Sequence, residues 1–383
     1  MNILYLADPN SIHDLKWISF FSIEKKANAY VVPQYHQYKS FTELQDSELV
    51  MRQFKFILLP PVRGVSVVRF YRSLYDLHVL RKLTREYDIE LIHVLYAEPG
   101  ALWSLGRNYL RVPMILSTRG TDILYTIPNF FTTRGLINKI VSKMYKRAIN
   151  RVDWITVTSV KQATIISKLT GRKSNMNVIR TGVDIDRIKS DTSEFLPSEL
   201  KGKDFILFPR LIRPVYNHEL SIAAINLLSF GTKQNFKMVF VGMDEPASTY
   251  VKLIESQMNE LADEVEFVRL PKQSQLAIWE LYKRASLVVM TPKSDGSPVS
   301  AMEAAVCGAR VILPPLDYDY EVFDESFLRL KSFDAQELTL LMEQTLYLEK
   351  LRPILDEKKF DRRVYMSKLW KIYQSLTGIQ QGY

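Results

Sequence analysis

Short apolar runs rich in β-branched residues recur along the chain, with amphipathic stretches between them. In the first half the runs are 2–7, 29–33, 55–60, 90–95, 113–118, 154–159 and 176–180; in the second they are 204–209, 237–242, 265–269, 286–290 and 309–314. Helical periodicity marks 74–87, 136–150, 219–228, 275–284 and the tail 361–376, where Val364, Met366, Leu369, Trp370 and Tyr373 share one side. Continuously apolar strands alternating with helices predict parallel sheets covered on both faces. Two such series predict two doubly wound α/β domains. The polar stretch 183–203 reads as the linker between them.

Composition leaves that picture in place and removes alternatives. A chain of 383 residues suits two domains, and 47% hydrophobic with 24% charged residues is globular. One cysteine, Cys307, excludes a disulfide framework and points to a reducing cytoplasmic setting. No run reaches the length of a membrane span, and the opening residues lack a basic signal-peptide region. The formal net charge of +9 is local: residues 119–173 hold eleven Lys or Arg against Asp122 and Asp153, which equals the whole excess. Such a patch calls for an anionic partner.

The candidate chemistry lies at 286–314. A buried strand at 286–290 leads through a loop to a helix read as starting with Ser297 as N-cap and Pro298 at its first position. Gly308 ends that helix, and another strand follows. In open α/β sheets, ligands sit at the carboxyl ends of strands, facing helix N-termini. The free N–H groups and positive dipole end there suit a diphosphate, so Gly296, Ser297, Pro298, Val299 and Ser300 form a candidate phosphate cradle. Glu303 follows over a turn later among small residues, as a ribose ligand, a solvated helix Glu or a partner in an interdomain ion pair.

Here the chain resembles the family-four retaining GT-B glycosyltransferases (glycosyl transferases group 1) of polysaccharide-assembly type. Asp295-Gly296 followed by Glu303-Ala304-Ala305-Val306-Cys307-Gly308 has that family's paired acids eight positions apart before an Ala-rich helix and Cys-Gly. Arg210-Leu211 with Asn217-His218, the Val241-Gly242 turn, Thr181-Gly182-Val183-Asp184, Arg119-Gly120-Thr121-Asp122 and the loop around His13 fall in the family's order. The resemblance implies two Rossmann-like domains facing a central cleft. Residues 1–183, rejoined by a terminal helix at 360–383, would bind the acceptor; residues 184–359 would bind the donor.

The resemblance also assigns roles. It implies that Glu303 binds the nucleotide ribose, Asp295 the donor sugar at the reaction centre and Arg210 the diphosphate. Arg213 and Leu270 join the donor set, while His13, Arg119 and Asp122 join Asp295 as catalytic candidates. Tyr216 stands where the family carries a Lys, leaving Arg213 as a second cation. Arg119 replaces an acceptor-side His; it cannot shuttle a proton but can pair with a phosphate. The implied reaction is retaining transfer from a UDP- or GDP-linked sugar to a hydroxyl of a glycan or polyprenyl-diphosphate-linked acceptor in bacterial surface polysaccharide synthesis, with no metal and no cofactor. A nucleotide-sugar epimerase and a catalytically degenerate binding subunit are the rival readings.

The remaining motifs are weaker. Asp184-Ile185-Asp186 and Asp317-Tyr318-Asp319 mimic a metal-binding Asp-x-Asp, a spacing common by chance. His93 lies in a strand pattern and reads as structural, and Cys307 reads as a small core residue. Residues 132–151 read as a basic amphipathic helix that, with 130–131, could lie on an anionic membrane or pack its apolar side into the core. Peripheral attachment to the inner face of the cytoplasmic membrane follows from the first option. No nucleic-acid reader motif is present.

Overall fold

A computed structural model describes residues 1–65, 70–191, 196–243, 248–347 and 356–378. The chain divides into two compact units: Met1–Thr181 with Arg363–Tyr383, and Gly182–Arg362.

Unit 1 holds seven strands: β1 (Asn2–Leu6), β2 (Asn28–Val32), β3 (Ile57–Leu58), β4 (Leu91–Val94), β5 (Met114–Ser117), β6 (Trp154–Val157) and β7 (Met176–Val178). They form one parallel sheet in the order β3-β2-β1-β4-β5-β6-β7. Unit 2 holds β8 (Phe205–Phe208), β9 (Lys237–Val241), β10 (Phe267–Leu270), β11 (Leu287–Val289), β12 (Val311–Leu313) and β13 (Leu328–Arg329), also parallel, in the order β10-β9-β8-β11-β12-β13. The apolar strands β8 and β11, and β4, whose only polar residue is His93, are buried at every position because helices cover both faces. The short pair β12–β13 closes one edge of the second sheet, and β13 carries no apolar run that the sequence pattern would single out.

The stretch 183–203 differs from the linker reading. Ile185–Ser190 is a helix, and Val183, Ile185, Ile188 and Leu200 are buried in the core of unit 2. Four apolar residues dock this segment while Asp186, Arg187 and Lys189 face outward. Gly182 sits at the entry with φ +61, and a Cβ there would meet the Arg362 backbone at 2.7 Å, so only glycine fits. The terminal helix Arg362–Thr377 packs Tyr365, Met366, Leu369 and Tyr373 into the core cluster that contains Trp17 and Phe21. There His93, fully buried on β4, bridges Tyr373 (2.5 Å) and Ser117 (2.6 Å).

Candidate functional site

In unit 2 the strand order reverses between β8 and β11, the place where a doubly wound sheet opens a ligand crevice at its carboxyl edge. Pairing of Ile206 with Leu287 and of Leu207 with Val288 brings together loops about 80 residues apart. Arg210 leaves β8 and Asp295 leaves β11, and their side chains form an ion pair at 3.4 Å that stops short of a hydrogen bond. Arg210 also donates to Ser300 Oγ at 2.7 Å and lies over the Tyr216 ring at 4.2 Å. Burial works against the Arg210 charge, but Asp295 and then Tyr216 outweigh it, and the net shift of its pKa is upward. Burial pushes the Asp295 carboxyl up, and Arg210 pulls it partly back. Tyr216, standing in the Lys position, thus supplies a ring for the guanidinium to stack on.

The helix after Asp295 runs Val299–Val306 and starts one residue later than the sequence suggests. Pro298 is its N-cap: the Pro298 carbonyl accepts from Ala301 and Met302 N–H. Ser297 therefore precedes the cap, and its buried hydroxyl has no partner among the described residues. Gly308 ends the helix with φ +84. Glu303 is only 6% exposed, which rules out the solvated alternative. Its carboxylate accepts from the Gln275 side chain at 3.1 Å.

The remaining candidates are placed differently. Leu270 packs in the core of unit 2, and its carbonyl accepts from Gly242 and Met243 N–H, so it is not held open for a ligand. Arg213 is exposed at the start of the Pro214–Tyr216 turn. In unit 1, His13 is exposed in the first turn of the helix Ile12–Ser19. Asp122 is 0% exposed, and backbone N–H groups of Ala97, Arg119, Gly120 and Ile123 donate to its carboxylate. Those bonds occupy the carboxylate and fix the loop.

Arg119, expected to meet a phosphate, is already engaged. It pairs with Asp14 at 3.0 Å, donates to the Leu95 carbonyl and lies over Trp17 at 4.4 Å. Burial pushes the Asp14 carboxyl up against the pull of Arg119. Asp14 and Trp17 lie in the opening loop-and-helix stretch around His13, and the fold brings them to Arg119.

Asp184 caps the helix at 185–190, and among the described residues no cluster of His, Cys, Asp and Glu could hold a metal ion. Cys307 is buried in the core, and burial pushes its thiol up to about 12. The amphipathic stretch divides into two helices, Ile127–Thr132 and Leu136–Arg151. In the second, Val141, Tyr145, Ala148 and Ile149 are buried, whereas Leu136 (75%), Ile137 (69%) and Ile140 (47%) are exposed. Among the described residues no helix is long and apolar enough to cross a membrane.

Residues 31–187 match the model of Glycosyltransferase Family 4, and residues 191–360 match that of Glycosyl transferases group 1. The chain resembles the solved Anabaena protein HepE in complex with UDP and glucose: TM-score 0.72, 16% identity, 98% of this chain and 100% of that one covered. A glycosyltransferase from Rickettsia africae gives TM-score 0.77 and 12% identity over 99% of both chains. Sucrose-phosphate synthase from Thermosynechococcus elongatus gives 0.70 and 14% over 99% of this chain and 100% of that one. No curated protein matches by sequence. These likenesses establish a common fold of two parallel-sheet α/β domains.

Proposed function

The chain belongs to the group-1, family-four glycosyltransferases of GT-B fold, and from that premise we propose that it is a retaining enzyme. It moves a sugar from a UDP- or GDP-linked donor to a hydroxyl of a glycan or polyprenyl-diphosphate-linked acceptor, in bacterial surface polysaccharide assembly. The observation that carries the reading is the Arg210–Asp295 pair beside Ser300, at the start of a helix with buried Glu303 within it. That HepE was solved with UDP and glucose supports a nucleotide-sugar donor.

In this reading Glu303 accepts from the ribose hydroxyls, and Arg210 with the N–H groups of Val299 and Ser300 takes the diphosphate. Asp295 exchanges its ion pair for the sugar. As the anomeric C–O bond breaks, negative charge grows on the leaving phosphate, where Arg210 stabilises it. The acceptor hydroxyl attacks from the same face and passes its proton to that phosphate, which preserves the anomeric configuration. The exposed apolar residues beside Lys139 and Lys143 support attachment of unit 1 to an anionic membrane, where a lipid-linked acceptor is met.

Losing one partner of a buried charged contact costs about 2–5 kcal/mol, so Asp295→Ala and Glu303→Ala each lower transfer by roughly 30-fold or more. Nucleotide release from a panel of UDP- and GDP-sugars measures this. Unchanged activity in both variants would sink the assignment, and calorimetry showing no UDP or GDP binding would favour a non-catalytic subunit.

A further inference from the structure

The carboxyl edge of the second sheet carries more polar groups than the roles above use. Along the neighbouring strands β8-β11-β12-β13, Arg210 follows β8, Asp295 and Ser297 follow β11, Tyr318 follows β12, and Arg329 ends β13. Adjacent strands lie about 4.8 Å apart, so these loops are immediate neighbours. Four buried side-chain atoms on this edge have no hydrogen-bond partner among the described residues: Asp295 Oδ2, Ser297 Oγ, Tyr318 Oη and Arg329 Nη2. Tyr318 is the telling one, at 4% exposure. Its ring is fixed by Phe323 at 5.2 Å, and the Arg329 guanidinium lies 5.8 Å from its centroid.

A tyrosine serving only as packing gains nothing from a hydroxyl that has lost water and found no partner. Buried polar groups of this kind are met by a ligand when they converge on one place. Burial first, and then the Asp295 charge, push the Tyr318 phenol up, so it keeps its proton and is available as a donor. The edge therefore presents one carboxylate acceptor with hydroxyl donors from two adjacent loops, the complement of neighbouring hydroxyls on a pyranose ring.

We propose that Tyr318 is a specificity-determining residue for the transferred sugar, its hydroxyl and that of Ser297 hydrogen-bonding ring hydroxyls of the pyranose held at Asp295. The assignment rests on the reading of unit 2 as the donor domain.

The test is Tyr318→Phe, with Ser297→Ala as a second variant. Thermal unfolding of the ligand-free protein should be unchanged or shifted upward in Tyr318→Phe, because an unpaired hydroxyl is removed. Calorimetry should give UDP and GDP affinities within twofold of wild type. Affinity for the best-bound of UDP-glucose, UDP-galactose, UDP-N-acetylglucosamine and GDP-mannose should fall about tenfold, the worth of one lost hydrogen bond. Wild-type affinity for the sugar nucleotide in both variants overturns the assignment alone. A melting temperature lowered by several degrees, or an equal loss of bare nucleotide, shows a structural hydroxyl and also overturns it. A wild-type protein that binds neither UDP nor GDP overturns the donor reading, and this assignment with it.

Discussion

Each unit holds a buried Arg–Asp pair at the carboxyl edge of its parallel sheet, and the two pairs have different surroundings. Arg119 and Asp14 in unit 1 sit on Trp17; Arg210 and Asp295 in unit 2 sit on Tyr216. In unit 1 most of the neighbouring bonds close on the protein itself, and Arg119 Nη1 is the one atom of the pair without a partner among the described residues. Asp14 accepts from Asp8 N–H as well as from Arg119, Ser11 caps the same helix, and Asp122 collects four backbone N–H groups. In unit 2 the pair is longer, and buried atoms of Asp295, Ser297 and Tyr318 have no partner among the described residues. The first pair ties loops together with one guanidinium nitrogen left over, while around the second more polar atoms among the described residues are left without partners, as the proposed donor site requires. Accounting for hydrogen bonds, rather than residue type, separates them.

Three measurements sharpen or break this contrast, beyond the transfer assays above. Asp14→Ala strands a buried guanidinium and should destabilise the protein by about 3–5 kcal/mol. Asp295→Ala should cost less, because Asp295 meets Arg210 at 3.4 Å without a hydrogen bond whereas Asp14 accepts one from Arg119 at 3.0 Å. Chemical denaturation of both variants compares them, and equal losses would erase the distinction.

A second measurement concerns His218, buried beside the Arg210 loop. Its Nε2 meets the Leu211 carbonyl at 3.1 Å, and burial lowers its pKa to about 4. The folded state then binds fewer protons than the unfolded state between about pH 6.5 and 4, so stability is lost as pH falls through that window. The full loss is on the order of 3 kcal/mol. His218→Gln should flatten that part of the stability–pH curve; an unchanged slope refutes the account.

The smallest effect per residue is at the basic helix Leu136–Arg151. Each Lys or Arg near an anionic bilayer contributes about 1 kcal/mol. Co-sedimentation with phosphatidylserine vesicles should weaken at least tenfold when Lys139, Lys143, Lys146 and Arg147 are neutralised together. Equal binding by both forms would remove the membrane from the picture.

Much of this was legible before the structure. The apolar runs located most strands because a strand buried on both faces must be apolar throughout. The paired acids and Gly308 marked the loop and helix of unit 2. The helix start was misread by one residue because Ser-Pro fits a cap with Pro at the first helical position as well as it fits Pro as cap. The segment 183–203 was misread because four buried apolar residues carry too little periodicity to stand out among so many charges. Tyr318 had no signal of its own; it lay inside an Asp-x-Asp that resembled a metal motif.

Local patterns along the chain were enough to determine an α/β architecture and to mark a phosphate cradle at 296–300 followed by Glu303, since periodicity and caps are short-range properties, and the family resemblance then singled out Arg210 and Asp295. Only the tertiary structure decided what each charge meets. Asp122 turned inward to backbone N–H groups, Arg119 was taken by Asp14, and Tyr318 came to the strand beside Asp295. The long-range members of these partnerships, Asp122 with Ala97 and Asp14 with Arg119, join residues 25 and 105 positions apart, and parallel pairing across the sheets sets them, which no local pattern encodes.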